Sequence, residues 1–304
     1  MIKRFCIIGL LALLAMSCSR QAPLPTTGNA VYYWRTNFRL DSTEQAFLHD
    51  HHIRRIYCRY FDVVNRDDLG PMPNATITFS QKIPDSIEIV PTVFIMEDVL
   101  RQPHDSLAAL LVRRIAQMNE TNDISGVNEI QIDCDYTARS RQAFYDFLDE
   151  VRAQFSILHS PFSILSATIR LHQLSMPAPP VDYGVLMLYN TGAPDRFAER
   201  RSADGHLLEE GRNPILDFRD VQPYLRHLKG YDLPLAAAYP VFQWQRTIHG
   251  ANITHEANYD DICRTKQAVE AERSDVGQLI LTYHLDHDNI LRYKPHQYEE
   301  IYRH

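Results

Sequence analysis

Cysteine is scarce: five residues in 304, none in a C-x-x-C pair, which excludes a disulfide-built scaffold and a zinc site assembled from paired thiolates. Glycine is equally thin, at 11 residues, and no glycine-rich strand-to-helix turn of the phosphate-cradling kind occurs. No fixed-period self-similarity is present, so a repeat array is excluded. Long basic stretches are missing too. The clusters Arg54-Arg55 and Arg200-Arg201 are dipeptides in a chain of formal charge −7, too short to neutralise a phosphate backbone, so nucleic acid is not an expected partner. The one apolar run near the start, Phe5 to Met16, is too short to span a bilayer. What is present is ordinary globular material, 45% hydrophobic and 23% charged, enough for a substantial core.

Met1-Ile2-Lys3-Arg4, the apolar run and Ser17-Cys18-Ser19 read as a basic n-region, a short h-region and small residues around a Cys, an export signal. Ala15-Met16-Ser17-Cys18 resembles the lipobox of bacterial lipoproteins, which implies a leader over 1–17 and lipidation at Cys18. Residues 18–29 then form a polar tether and 30–304 a single domain. The resemblance implies a cell-envelope protein anchored through lipid to a bacterial membrane, the outer membrane by preference, facing the periplasm or the surface. Loss of Lys3 and Arg4 with the leader leaves 29 basic against 38 acidic side chains. Cys58, Cys134 and Cys263 are left over, an odd number, and two lie in apolar strand-like runs, so buried free thiols are expected.

Apolar, β-branched or aromatic runs at 30–36, 53–64, 87–95, 129–135, 162–171, 181–190, 233–244 and 278–286 predict eight strands. Amphipathic stretches at 42–51, 106–119, 139–155, 215–228 and 259–272 predict helices, several opened by capping residues such as Asp41, Asp105 and Asn258. Eight near-continuous apolar strands alternating with helices fit an α/β fold of the closed parallel (β/α)8 TIM barrel type. Two irregularities are expected: an extra hairpin within 65–86, and no proper fifth helix, because 172–180 is short and Pro-rich.

A parallel barrel carries its site at the C-terminal strand ends. On the fourth strand the period of two puts Gln131, Asp133 and Asp135 on one face and Ile130, Ile132 and Cys134 on the other. Two carboxylates one alternate position apart repel, which suits a proton donor and its electrostatic partner; bracing of the neighbouring loops is the plainer alternative. Aromatic and polar side chains end other strands: Trp34 and Arg35 on the first, Arg59 and Tyr60 on the second, Glu97 and Asp98 after the third, Tyr239, Gln243 and Trp244 on the seventh, Tyr283 on the eighth. Aromatic faces with interspersed polar groups suit carbohydrate. His284, Asp286 and Asp288 share a face if the eighth strand stays extended, but no partner cluster at ligand spacing accompanies them, so neither a metal nor a cofactor is expected.

The run Asn128 to Asp135, followed by a helix with Phe144, Phe147, Leu148 and Arg152, resembles the fourth-strand signature of family-18 glycoside hydrolases, the chitinase-like barrels. Asp135 falls at the family's catalytic Glu and Asp133 at the acid two before it. Gln131 stands where that family has another acid. Met187-Leu188-Tyr189-Asn190 resembles its M-x-Y-[DN] strand end, which implies that Tyr189 and Asn190 hold a reacting N-acetyl group. The sequence is also similar to exported bacterial barrel lipoproteins with an I-D-x-D strand, here Ile132-Asp133-Cys134-Asp135. The resemblance implies a glycoside hydrolase-like protein with catalytic Asp135, Asp133 and Tyr189, its polysaccharide held by Gln131, Asn190, Trp34, Arg59, Tyr239, Trp244 and Tyr283. An Asp is one methylene shorter than a Glu, so a glycan-binding barrel without catalysis and a structural envelope protein stand beside the hydrolase.

Overall fold

The computed structural model describes residues 24–304 except 67–68, 102–105, 193–199, 202–206, 210 and 249–250. Cys18 and Asp105 lie outside the described residues. Eight parallel strands form the barrel: β1 (Gly28–Tyr33), β2 (Arg55–Arg66), β3 (Glu88–Ile95), β4 (Glu129–Asp133), β5 (Ile164–Ile169), β6 (Tyr183–Met187), β7 (Leu235–Pro240) and β8 (Leu279–Tyr283). Each pairs with its neighbours in chain order, and β1 joins both β2 and β8, so the sheet closes without an open edge. Seven helices are present among the described residues: α1 (Ser42–Asp50), α2 (Leu107–Thr121), α3 (Arg141–Ile157), α4 (Phe218–Leu228), α5 (Tyr259–Glu272), α6 (His287–Ile290) and α7 (Pro295–Ile301).

Local chemistry accounts for the helix starts. Asp41 forms a capping box on α1, its carboxylate accepting from Glu44 N at 2.9 Å while Asp41 N donates to Glu44 Oε2 at 2.9 Å. Asn258 Oδ1 accepts from Asp260 N at 2.8 Å and starts α5. α3 buries Phe144, Phe147, Leu148, Val151 and Phe155, the 3–4 spacing of one helical face, against the outer side of the sheet.

Both expected irregularities occur. Gly70–Asn74 pairs antiparallel with the end of β2, from Asp62 to Arg66, and makes a hairpin on the mouth side. Between β5 and β6 a single 3-10 turn, Leu171–Ser175, replaces a helix. The first strand begins at Gly28, two residues before the expected start, and Leu24 is already buried in the core. Six of the eight strands end two to four residues earlier than the apolar runs suggest, and for two of them this moves candidate residues off the strand. β7 stops at Pro240, and Trp244 belongs instead to a separate antiparallel hairpin, Gln243–Ile248 with Ala251–Glu256. β8 stops at Tyr283; Asp286 caps α6, accepting from Asp288 N at 3.1 Å, so His284, Asp286 and Asp288 do not form one extended face. Cys58, Cys134 and Cys263 are free, the first two buried.

The barrel interior is unusually polar. Its lowest layer holds Arg55, whose guanidinium donates to Glu129 Oε2 at 2.7 Å and to Glu88 at 2.7 and 2.8 Å. Glu129 Oε1 accepts from Ser166 Oγ at 2.6 Å and Tyr183 Oη at 2.5 Å, and Tyr183 meets the Tyr57 hydroxyl. Burial pushes the Glu129 carboxyl up, with Arg55 pulling it back. In the middle layer Tyr32 Oη donates to Gln131 Oε1 at 2.9 Å and Thr92 Oγ1 to the same oxygen at 3.3 Å.

Candidate active site at the barrel mouth

Glu129, Gln131 and Asp133 occupy three successive inner positions of β4, and Ile130 and Ile132 point outward, as the alternation requires. The register Ile132↔Ala167 sets Thr168 of β5, and Arg170 just past its end, beside Asp133 and Asp135. Asp133 is buried and accepts from Thr168 Oγ1 at 2.5 Å and from Arg170 Nη2 at 3.1 Å. Arg170 Nε also binds Asp135 Oδ1, so one guanidinium bridges both carboxylates. Asp135 itself is 57% exposed at the side chain.

Burial is the main reason why the Asp133 carboxyl sits above its ordinary range; Arg170 and Thr168 oppose the shift, and repulsion from Asp135 adds a smaller push. Burial alone pulls Arg170 down, but Asp133 and Asp135 together raise it, and it stays a cation. The Asp135 oxygen that faces Arg170 is therefore engaged in an ion pair with a permanent cation.

The 3-10 turn that replaces the fifth helix builds this arrangement. Arg170 N donates to Gln173 Oε1 at 2.8 Å, and the buried Gln173 amide donates to Tyr136 O at 3.1 Å and Cys134 O at 3.3 Å. One side chain thus ties the backbone around Asp135 to that around Arg170. Met187 abuts the Arg170 guanidinium from β6.

Above this layer lies a cavity of about 270 Å³ lined by Asp135, Arg170, Met187, Tyr189, Asn190 and Tyr224, among others. Tyr189 is buried and stacks on Tyr283 at 4.6 Å and 24° between planes. Phe242 meets both edge-on, at 6.2 Å from Tyr189 and 5.4 Å from Tyr283. Trp34 lies 5.6 Å from Tyr283, and the Arg59 guanidinium stands 5.6 Å over the Trp34 ring while its Nε donates to Asp62 Oδ1 at 2.7 Å. An aromatic cluster therefore runs from Tyr189, which lines the cavity, through Tyr283 to Trp34. Two buried side-chain atoms in these layers have no hydrogen-bond partner, Tyr189 Oη and Gln131 Nε2. Asn190 takes a left-handed backbone conformation, φ 52°, which Asn tolerates, and turns the chain off β6 at the rim.

The mouth thus gathers Asp133, Asp135, Tyr189, Asn190, Tyr283, Trp34 and Arg59, while Gln131 lies one layer below, buried against Tyr32 and Thr92. Tyr239 is placed elsewhere: its neighbours are Glu270 and Cys263 of α5, so it faces the helical layer. Trp244 packs on His255 at 4.6 Å within its hairpin. Tyr60 also faces outward and donates to Asn119 Oδ1 of α2 at 2.7 Å. Sequence reasoning missed Arg170, Gln173, Tyr32 and Phe242. For Arg170 a signal existed, since Ser166, Thr168 and Arg170 continue the inner alternation of the fifth strand.

A closed parallel barrel with alternate acidic groups rising to the mouth on β4 and a Met-Leu-Tyr-Asn end on β6 has the fold of the chitinase-like glycoside hydrolase barrels. Among solved structures, a class V chitinase from Nicotiana tobaccum is similar with a TM-score of 0.56 at 9% identity, over 92% of this chain and 99% of that one. The spore cortex-lytic enzyme SleL of Bacillus cereus matches with a TM-score of 0.53 at 14% identity, over 90% and 73%. A chitinase from Bacteroides thetaiotaomicron matches with 0.52 at 11% identity, over 86% and 92%. No family model and no curated protein matches the sequence.

Proposed function

We propose that this chain is an exported bacterial envelope lipoprotein, anchored at Cys18, whose barrel mouth binds a polysaccharide. The observation that carries this reading is the cavity lined by Tyr189 and Tyr224, with Tyr283 stacked behind Tyr189, beside a carboxylate pair bridged by Arg170. Rings supply flat apolar faces for sugar CH groups, while Asp135, Asn190, Arg170 and the unpartnered Tyr189 hydroxyl supply hydroxyl and carbonyl partners. Similar barrels are chitinases and a cortex-lytic enzyme, one of them solved with NAG4, so N-acetylglucosamine polymers are the first ligands to test. Holding Asp135 against Arg170 favours retention of the glycan over cleavage, because the proton donor is engaged and is shorter than Glu.

The test uses the soluble chain Ser19–His304 with N-acetylglucosamine oligomers, peptidoglycan and other glycans, measuring heat of binding and reducing-end release in parallel. Saturable binding without release is expected, retained in Asp135→Asn and weakened by about tenfold, or 1.4 kcal/mol, in Tyr283→Ala. Release that disappears in Asp135→Asn would establish a hydrolase with Asp135 as the proton donor and Asp133 as its partner. Absence of binding to every polymer would overturn the carbohydrate reading.

A further inference from the structure

The route by which the chain enters the barrel bears on where a glycan comes from. β1 begins at Gly28, at the N-terminal end of the strands, opposite the mouth. Asn29 is fastened there on both sides: its Nδ2 donates to His51 O at 2.8 Å, just past the end of α1, and its Oδ1 meets His304 Nε2 at 2.8 Å at the end of the chain. Leu24 is already buried, with 7% exposure, in the core cluster. The chain is therefore packed against the domain from Leu24 and fixed at the base of the barrel from Gly28 and Asn29.

Cys18 stands six residues before Leu24. At no more than about 3.5 Å per residue, six residues span at most about 20 Å. The strands rise about 3.3 Å per residue and tilt by about 36° in such barrels, so the mouth lies about 15 Å above the base before its loops are added. To bring the mouth onto the bilayer, a leash fixed at the base would have to run outward past the helical layer, about 10 Å thick, as well as climb that height and pass the loops, about 25 Å or more in all. At about 20 Å it is too short and leaves the base next to the anchoring bilayer.

We infer that the barrel base seats on the bilayer that holds the anchor and that the mouth opens away from it, so that the site takes glycan polymers from the far side and not the sugar headgroups of lipids in its own leaflet. This orientation rests on the lipoprotein reading given above. It follows from the side of the barrel on which Leu24, Gly28 and Asn29 lie, and it needs no contact between the mouth and lipid.

The experiment uses the full lipidated protein in phosphatidylethanolamine and phosphatidylglycerol vesicles that carry a copper-chelating lipid as a short-range quencher. Cys263→Ser provides the background, with Cys58 and Cys134 buried. One fluorophore is placed at Arg54→Cys, exposed just before β2 at the base, or at Leu291→Cys, 66% exposed beyond β8 on the mouth side. Quenching several-fold stronger from Arg54→Cys than from Leu291→Cys is expected. Equal or reversed quenching in a protein that Cys18→Ser releases from the vesicles overturns the orientation while the anchor stands. Retention of Cys18→Ser on the vesicles overturns the anchor reading, and the orientation falls with it.

Discussion

At the scale of single residues, Arg170 decides what the mouth can do, because it turns two neighbouring carboxylates into one bridged ion cluster. Asp133 is 3% exposed at its side chain and Arg170 20%, so removal of the cation strands a buried charge. Breaking a buried pair costs about 3–5 kcal/mol, and the lower end applies here because Arg170 retains some solvent. Arg170→Met is expected to lose about 3 kcal/mol in urea unfolding, and Asp133→Asn added to it to regain a substantial part. A double variant no more stable than Arg170→Met would show that the loss is one of packing. The raised Asp133 carboxyl has its own pH signature. A folded-state value above the unfolded one means that the folded protein binds the proton more tightly, so this group stabilises the fold at low pH and the benefit fades as pH rises through the raised value. The melting temperature of wild type minus that of Asp133→Asn should accordingly be largest near pH 4 and shrink toward pH 8. A gap that widens with pH would mean that the ion pair outweighs burial. Asp133 and Asp135 were legible in the sequence because alternation alone puts them on the inner face. Arg170 was not singled out, since its partners depend on which residues of β4 and β5 stand side by side, and that register is a property of the closed sheet.

At the scale of elements, the eight strands were legible because strands buried on both faces read as nearly unbroken apolar runs. The same property hid where they end and which way they face. Leu235–Pro240 is buried throughout, so nothing in its polarity marks Tyr239 as outward; the assignment comes from α5 behind it and from the register Tyr239↔Thr282, where Thr282 contacts Tyr302 on the outer side. Trp244 lay in the same apolar stretch, but past Pro240 the chain turns away into its hairpin. A tight spot in the sheet gives a further test. A Cβ added to Gly184 on β6 would stand 2.6 Å from Ile169 Cγ1 and 3.0 Å from Leu235 Cδ2, both side chains confined in the core. Gly184→Ala should therefore lower stability by about 1–3 kcal/mol through overpacking, read as a lower urea midpoint with unchanged slope. A neutral result would mean that Ile169 has room to change rotamer. At the other end of the scale of cost, Asp41→Ala removes the side-chain half of the α1 capping box, leaving the backbone N–H of residue 41 to Glu44, and should cost about 1 kcal/mol.

At the scale of the whole molecule, the mouth draws on β1, β2, β4, β5, β6 and β8 at once, so occupancy of the site is coupled to the integrity of the entire closed sheet. A ligand that binds only the folded barrel adds RT ln(1 + [L]/Kd) to its stability, about 2.7 kcal/mol at a hundredfold excess over Kd. For a domain of this size each kcal/mol moves the melting temperature by about 2–4 °C, so a cognate glycan should raise it by about 5–10 °C. The rise should persist in Asp135→Asn and fall to about half in Tyr283→Ala, whose tenfold weaker binding leaves about 1.4 kcal/mol at the same ligand concentration, and fall likewise in Trp34→Ala. Tyr239→Phe should keep it, because that side chain faces α5 and not the mouth. The comparison separates two meanings of an unbound protein: a variant that folds with the wild-type melting temperature but gains nothing from glycan has lost the site, while one that melts early has lost the barrel. If Tyr239→Phe abolished the rise and Tyr283→Ala left it intact, the glycan would have to bind outside the mouth, and the aromatic cluster would be packing that closes the top of the barrel.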